Sequence, residues 1–170
     1  DNLAQCILIS KDKSIIAKVI KEITRQLKDL PRITIAKSSL INNGILIHMT
    51  SDQKIIETVN KIAPEHLELN IKNYKKIAKK IRNSGSICLG KYAVMAMTDY
   101  GVPGSNHVLP TNTTSRYSTG LSVAEFIKKI SYINLSKKGI ETLGPSVITL
   151  ANYEGLVGHA KSVEKRIRRK

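Results

Sequence analysis

The chain has 170 residues and a mass of 18.8 kDa, a length for one domain or a domain with an appendage. Hydrophobic residues make up 41%, which excludes a disordered tail, and with no Trp and a single Phe the core must be aliphatic. The net charge of +15 raises a polyanion-binding surface as one option. Against it, lysines are scattered at helical spacing, as in Lys72, Lys75, Lys76, Lys79 and Lys80, and the one dense run is the terminal Lys165–Lys170. No aromatic platform or zinc-finger spacing accompanies them, so solvated surface charge is the better reading. No apolar run approaches the ~20 residues of a membrane helix, so a soluble protein is expected. The chain starts at Asp1 without a signal-peptide pattern, and is expected to be part of a longer protein. Cys6 and Cys88 sit in short apolar runs and are expected to be buried thiols.

In chain order, Gln5 to Ser10 reads as a buried strand. Ile15, Ile16, Val19, Ile20, Ile23, Leu27 and Leu30 then recur at helical spacing, and Pro31 closes that helix. Gly44 to Met49 is a second strand, in which His48 has no motif around it and is taken as structural. Gln53 to Ile62 is a helix stopped at Ala63-Pro64, Asn73 to Arg82 another, and Ser86 to Leu89 a third strand. This alternation predicts an α/β fold with a parallel sheet and helices on its faces. Residues 91–120 are a long loop with Gly101, Pro103, Gly104, Pro110 and Gly120, of the kind that carries function. Ser122 with Glu125 three residues on is a capping box that predicts a helix start, with a further helix from near Ser136. Pro145 is expected in the first turn of the last helix. The division expected is an α/β portion over residues 1–120 and an all-helical appendage over 121–170.

The polar, titratable residues concentrate in segments rich in glycine and proline. Ala63-Pro64-Glu65-His66-Leu67-Glu68-Leu69 sets a carboxylate beside an imidazole, the usual acid/base pair near neutral pH. Asp99-Tyr100 and Asn106-His107-Val108-Leu109-Pro110-Thr111 follow, and later Glu154-Gly155-Leu156 with His159. On a regular strand Glu65 and His66 would face opposite ways, so both serve one site only if Pro64 imposes an irregular backbone. Taken singly, Glu65 and His66 would be a helix-end charge and a surface histidine, and Asp99 a turn residue. Glu154 and His159 fall about 140° apart around a helix and would be solvated.

In this order and at these separations the segments resemble the histidinol dehydrogenase family, over essentially the whole chain. Weaker support comes from Gln26 to Arg32, Gly85 to Gly90 and Ser118 to Ser122. The likeness is to the C-terminal portion of family members more than twice this length. It implies an incomplete Rossmann-like parallel sheet, followed by a helical appendage swapped between the subunits of a cytoplasmic homodimer. It also implies a zinc enzyme that uses two NAD to oxidise L-histidinol to L-histidine by way of L-histidinaldehyde. Carried over by motif, His66 takes the alcohol proton and Glu65 activates water in the second oxidation. Asp99 and His159 are zinc ligands, and His66, Asp99, Glu154 and His159 contact substrate, with His107 beside them. The family's other two zinc ligands, a Gln and a His, and its nucleotide contacts match no residue here, so half a zinc site and no complete NAD site are expected. The Asp99–His107 loop is one residue longer than the usual family spacing. From the scattered charge and the lack of a long apolar run, no nucleic-acid or membrane partner is expected. The alternatives are a non-catalytic remnant, one half of a split enzyme, or a basic polyanion-binding module.

Overall fold

The computed structural model describes residues 1–101 and 106–167. The expectations for Pro103, Gly104 and the lengthened part of the Asp99–His107 loop, like the last three residues of the basic C-terminal run, lie outside the described residues. The chain falls into two compact units, Asp1–Glu125 and Phe126–Lys170.

The first unit is α/β. Strand β1 (Ile7–Ser10) leads into helix α1 (Lys13–Gln26), whose N-cap Asp12 accepts from Ser14 N–H at 2.7 Å. The Ser14 side chain, with that backbone bond and Lys18 assisting, holds the Asp12 carboxyl below its usual value. After a 3-10 turn at Leu27–Asp29 comes helix α2 (Ile33–Asn43), which the sequence reading lacked. Its apolar residues follow no clear helical stripe, and Ser39 is its buried position, donating to Ala4 O at 2.7 Å. Strand β2 (Ile45–His48) pairs parallel with β1 in the register Ile7↔Ile45 to Ser10↔His48. His48, exposed at the end of β2, has its Nε2 3.1 Å from Lys11 O.

Helix α3 (Asp52–Ile62) begins at Ser51, which accepts from Lys54 N–H. Strand β3 (His66–Leu69), helix α4 (Tyr74–Ala78) and strand β4 (Ser86–Leu89) follow, with β3 and β4 parallel. The parallel strands are thus split between two two-stranded ladders. The buried core beside the second ladder is aliphatic, Ile56, Leu69 and Ile77, with Leu67, Ala78, Ile81, Ile87 and the ring of Tyr74 packed against it. Of the cysteines, Cys88 is buried as expected but Cys6, just before β1, is exposed. Burial pushes the Cys88 thiol up, with the charges of Glu68 and Asp99 acting the same way. Helix α5 (Met95–Tyr100) interrupts the expected long loop.

From Ser122 onward the chain departs from its sequence reading in two places. The capping box at Ser122 yields only a 3-10 turn, Val123–Phe126, and residues 127–135 have no regular structure. Phe126, Ile127, Ile130, Tyr132 and Ile133 are exposed there, so nothing is buried that would propagate a helix. Ser136 does cap a helix, α6 (Lys137–Tyr153), accepting from Gly139 N–H at 3.1 Å. Pro145 lies inside α6 rather than in a first turn. Packing of α6 on α7 (Val157–Ile167) offsets the helix bond that Pro145 removes, with Gly144 buried at that contact. Among the described residues no helix is long and apolar enough to cross a membrane.

Candidate functional site

The site starts from how α3 ends. Ala63 is left-handed (φ 51°, ψ 61°), and its N–H still bonds to Val59 O at 2.9 Å, so the chain leaves the helix in one sharp turn. The irregular backbone expected at Pro64 is therefore centred one residue earlier. Neighbouring segments grip this turn from two sides. Ser115 Oγ, buried and 52 residues downstream, donates to Ala63 O at 2.9 Å, and the Arg116 guanidinium donates to Lys61 O. On the other side Gly85 N–H donates to Pro64 O at 3.0 Å and Ser86 N–H to Glu65 O at 2.8 Å. Gly85 is required by space: a Cβ there would lie 2.7 Å from Glu65 O and 3.0 Å from Pro110 Cδ. Asn60 completes the frame, accepting from Arg82 N–H and Asn83 N–H and donating to Lys80 O.

With the turn fixed, β3 begins at His66 and alternates. Leu67 and Leu69 join the core, which leaves His66 and Glu68 on the other face. There His66 Nε2 lies 3.5 Å from Asp99 Oδ1 of α5, and His107 Nδ1 lies 3.6 Å from the same oxygen. Glu65 Oε1 is 3.9 Å from the other ring nitrogen of His66. Asp99 is 10% exposed at its side chain, His66 19%, Glu65 39% and His107 69%, so the group runs from a buried acid to a solvent-facing rim.

His66 Nε2 and Asp99 Oδ1 are both buried, and neither has a hydrogen-bond partner. Two facing buried polar atoms just beyond bonding distance of each other call for an explanation, and a ligand between or beside them is one. Chemically the pair offers a carboxylate oxygen and an imidazole nitrogen to whatever enters, with the Glu65 carboxylate alongside. The sequence named all four of these residues, and the fold brings them together. It did not find Gly85, Ser115 or Arg116, whose contribution is to hold backbone in place. The only signal for them was a position inside motif-rich segments.

Glu154 and His159 lie in the second unit. Glu154 closes α6 and His159 sits in the first turn of α7, both exposed, either side of the left-handed Gly155 (φ 75°). Among the described residues no group of three or more His, Cys, Asp or Glu could hold a metal ion by itself. Zinc nonetheless suits part of what is present. The unpartnered, buried Asp99 Oδ1 is a good hard donor, and the His159 imidazole is exposed and able to ligate.

Residues 1–167 match the family model of histidinol dehydrogenase. The chain is 83% identical over 170 residues to histidinol dehydrogenase of Pelagibacter ubique, covering 100% of this chain and 40% of that protein. Against the Ralstonia nicotianae enzyme the identity is 44% over 169 residues, 99% of this chain and 38% of the other. The crystal structure of histidinol dehydrogenase from Elizabethkingia anophelis superimposes with a TM-score of 0.76 at 36% identity, over 96% of this chain and 37% of that one. The chain therefore spans about two fifths of the length of the curated relatives it matches.

Proposed function

The chain belongs to the histidinol dehydrogenase family, and from that premise we propose that its residues form part of an enzyme oxidising L-histidinol to L-histidine through L-histidinaldehyde. The observation that carries this reading is the meeting of His66 and Asp99 through buried, unpartnered atoms with Glu65 beside them. Each of the two oxidations removes a hydride and a proton from the same carbon centre and its oxygen. NAD supplies the hydride acceptor in both, and no residue of this chain is assigned to binding it.

The proton is what this chain handles. In the first oxidation His66 takes the hydroxyl proton as the carbinol carbon gives up hydride. In the second, Glu65 takes a proton from the water that adds to the aldehyde carbon, and the hydrate then loses the second hydride. The half-exposed position of Glu65 suits a group that must meet water, and the more buried His66 suits one that meets the alcohol. Asp99, with His159 of the partner subunit, would hold zinc. The two further ligands, a Gln and a His, match no residue of this chain. When bound, zinc is a Lewis acid that lowers the hydroxyl pKa of the alcohol it holds. Glu154 and His107 would border the substrate. The reading carries with it a cytoplasmic homodimer whose helical unit is exchanged between subunits.

Two assays of NADH formation test it. The 170-residue chain alone should show no turnover with histidinol, and activity should appear when it is supplied with the remaining family sequence. In that complete enzyme, His66→Asn should slow histidinol oxidation by about 10²–10⁴-fold, while Glu65→Gln slows mainly the oxidation of added histidinaldehyde. Wild-type rates for both half-reactions in both variants would remove the assignment, and turnover by the isolated chain would contradict the ligand count.

A further inference from the structure

Helix α5 carries Asp99 yet has little of its own to hold it. It is six residues long, far too short to persist unaided, and its N-cap Val94 has no side-chain acceptor for the first-turn N–H groups. The acceptor comes from β3: the Glu68 carboxylate takes the Met95 N–H at 2.8 Å. A negative charge at that end of a helix is favourable as well. Glu68 is two residues beyond His66 and shares its face of the strand. Its backbone is registered against Cys88 in the β3–β4 ladder, so the carboxylate reaches α5 from a fixed base rather than from a loop. One four-residue strand thus presents the imidazole that faces Asp99 and also grips the start of the helix that bears Asp99.

We propose that Glu68 is a positioning residue that sets Asp99 against His66; its bearing on turnover rests on the reading of those two residues given above. Sequence alone hides the link, because Glu68 looks like the outward acid of an alternating strand.

The test compares nuclear Overhauser cross-peaks in the full 170-residue chain. Glu68→Ala removes the acceptor. Met95→Pro removes the donor at a first-turn position that proline otherwise suits. Each should weaken the cross-peak between the His66 ring and the Asp99 β-protons, because a lost helix cap lowers the ratio of docked to undocked α5 about fivefold. The Leu67–Ile87 cross-peaks of the ladder should keep their intensity, and the double variant should show no further loss. Glu68→Gln, whose amide oxygen still accepts, should retain the His66–Asp99 cross-peak. The proposal is overturned if both single variants leave that cross-peak intact, if their effects add, or if the ladder signals collapse with it. In the complete enzyme, Glu68→Ala should lower kcat in step with the lost cross-peak. Geometry lost with turnover untouched would leave the positioning standing and refute the chemical role given to His66 and Asp99.

Discussion

Gly85→Ala puts the construction of the site to its sharpest test. The added methyl would meet Glu65 O at 2.7 Å and Pro110 Cδ at 3.0 Å, and neither neighbour can swing aside as the tip of a long side chain could. Overpacking of this kind costs about 1–3 kcal/mol. Moving Glu65 away also strains the bonds from Gly85 N–H to Pro64 O and from Ser86 N–H to Glu65 O, each worth about 1 kcal/mol net. Against this, loss of glycine freedom in the unfolded chain returns roughly 0.4–1 kcal/mol. The expected net is a loss of about 1–3 kcal/mol, or roughly 2–4 °C of melting temperature per kcal/mol at this chain length. Circular dichroism melting of the chain measures it. Gly158→Ala is the matched control: a Cβ there meets nothing within 4 Å, it lies in α7, and the change should raise helix stability by up to about 1 kcal/mol. If Gly85→Ala melts at or above the parent temperature, the grip on the Pro64–Glu65 turn is not what fixes it.

The thiols should separate cleanly: exposed Cys6 reacts quickly with iodoacetamide, and buried Cys88 only when the fold opens. Because the folded Cys88 thiol keeps its proton above its ordinary value of 9.0, its share of stability is present below that pH and is lost as pH rises through the folded pKa. Urea midpoints should therefore drop less steeply above pH 9 in Cys88→Ala than in the parent, and parallel slopes would disprove the shift. Gly144→Val should destabilise the α6–α7 pair by about 1–3 kcal/mol, since a Cβ at Gly144 already collides with Ile167 and lies 3.1 Å from Val163. Amide exchange over residues 137–167 reads this out, and unchanged protection would contradict the packing.

Elements with a strong period and clear end signals were legible in the sequence. Helix α1 has an apolar face at helical spacing, α3 stops at Ala63-Pro64, and β1, β2 and β4 are short apolar runs bounded by polar residues. The elements that escaped were those with no such signature. Strand β3 is four residues long with two titratable side chains, α2 has no apolar stripe, and α5 lies among loop glycines. The opposite error fell at Ser122, where a sound capping pattern had no buried face behind it and gave a single 3-10 turn.

Glu65, His66, Asp99 and His107 announce themselves by side-chain chemistry and motif order, which are properties of the linear chain. That His66 and Asp99 turn unpartnered atoms toward each other is decided elsewhere: by the left-handed Ala63, the hydroxyl of Ser115, the missing Cβ of Gly85 and the Glu68 carboxylate under α5. These act through backbone groups tens of residues apart in sequence, where residue type says little about the partner. The sequence names the candidate groups because their chemistry resides in the residue itself. Their facing arises from contacts between distant segments, which exist only once the chain has folded.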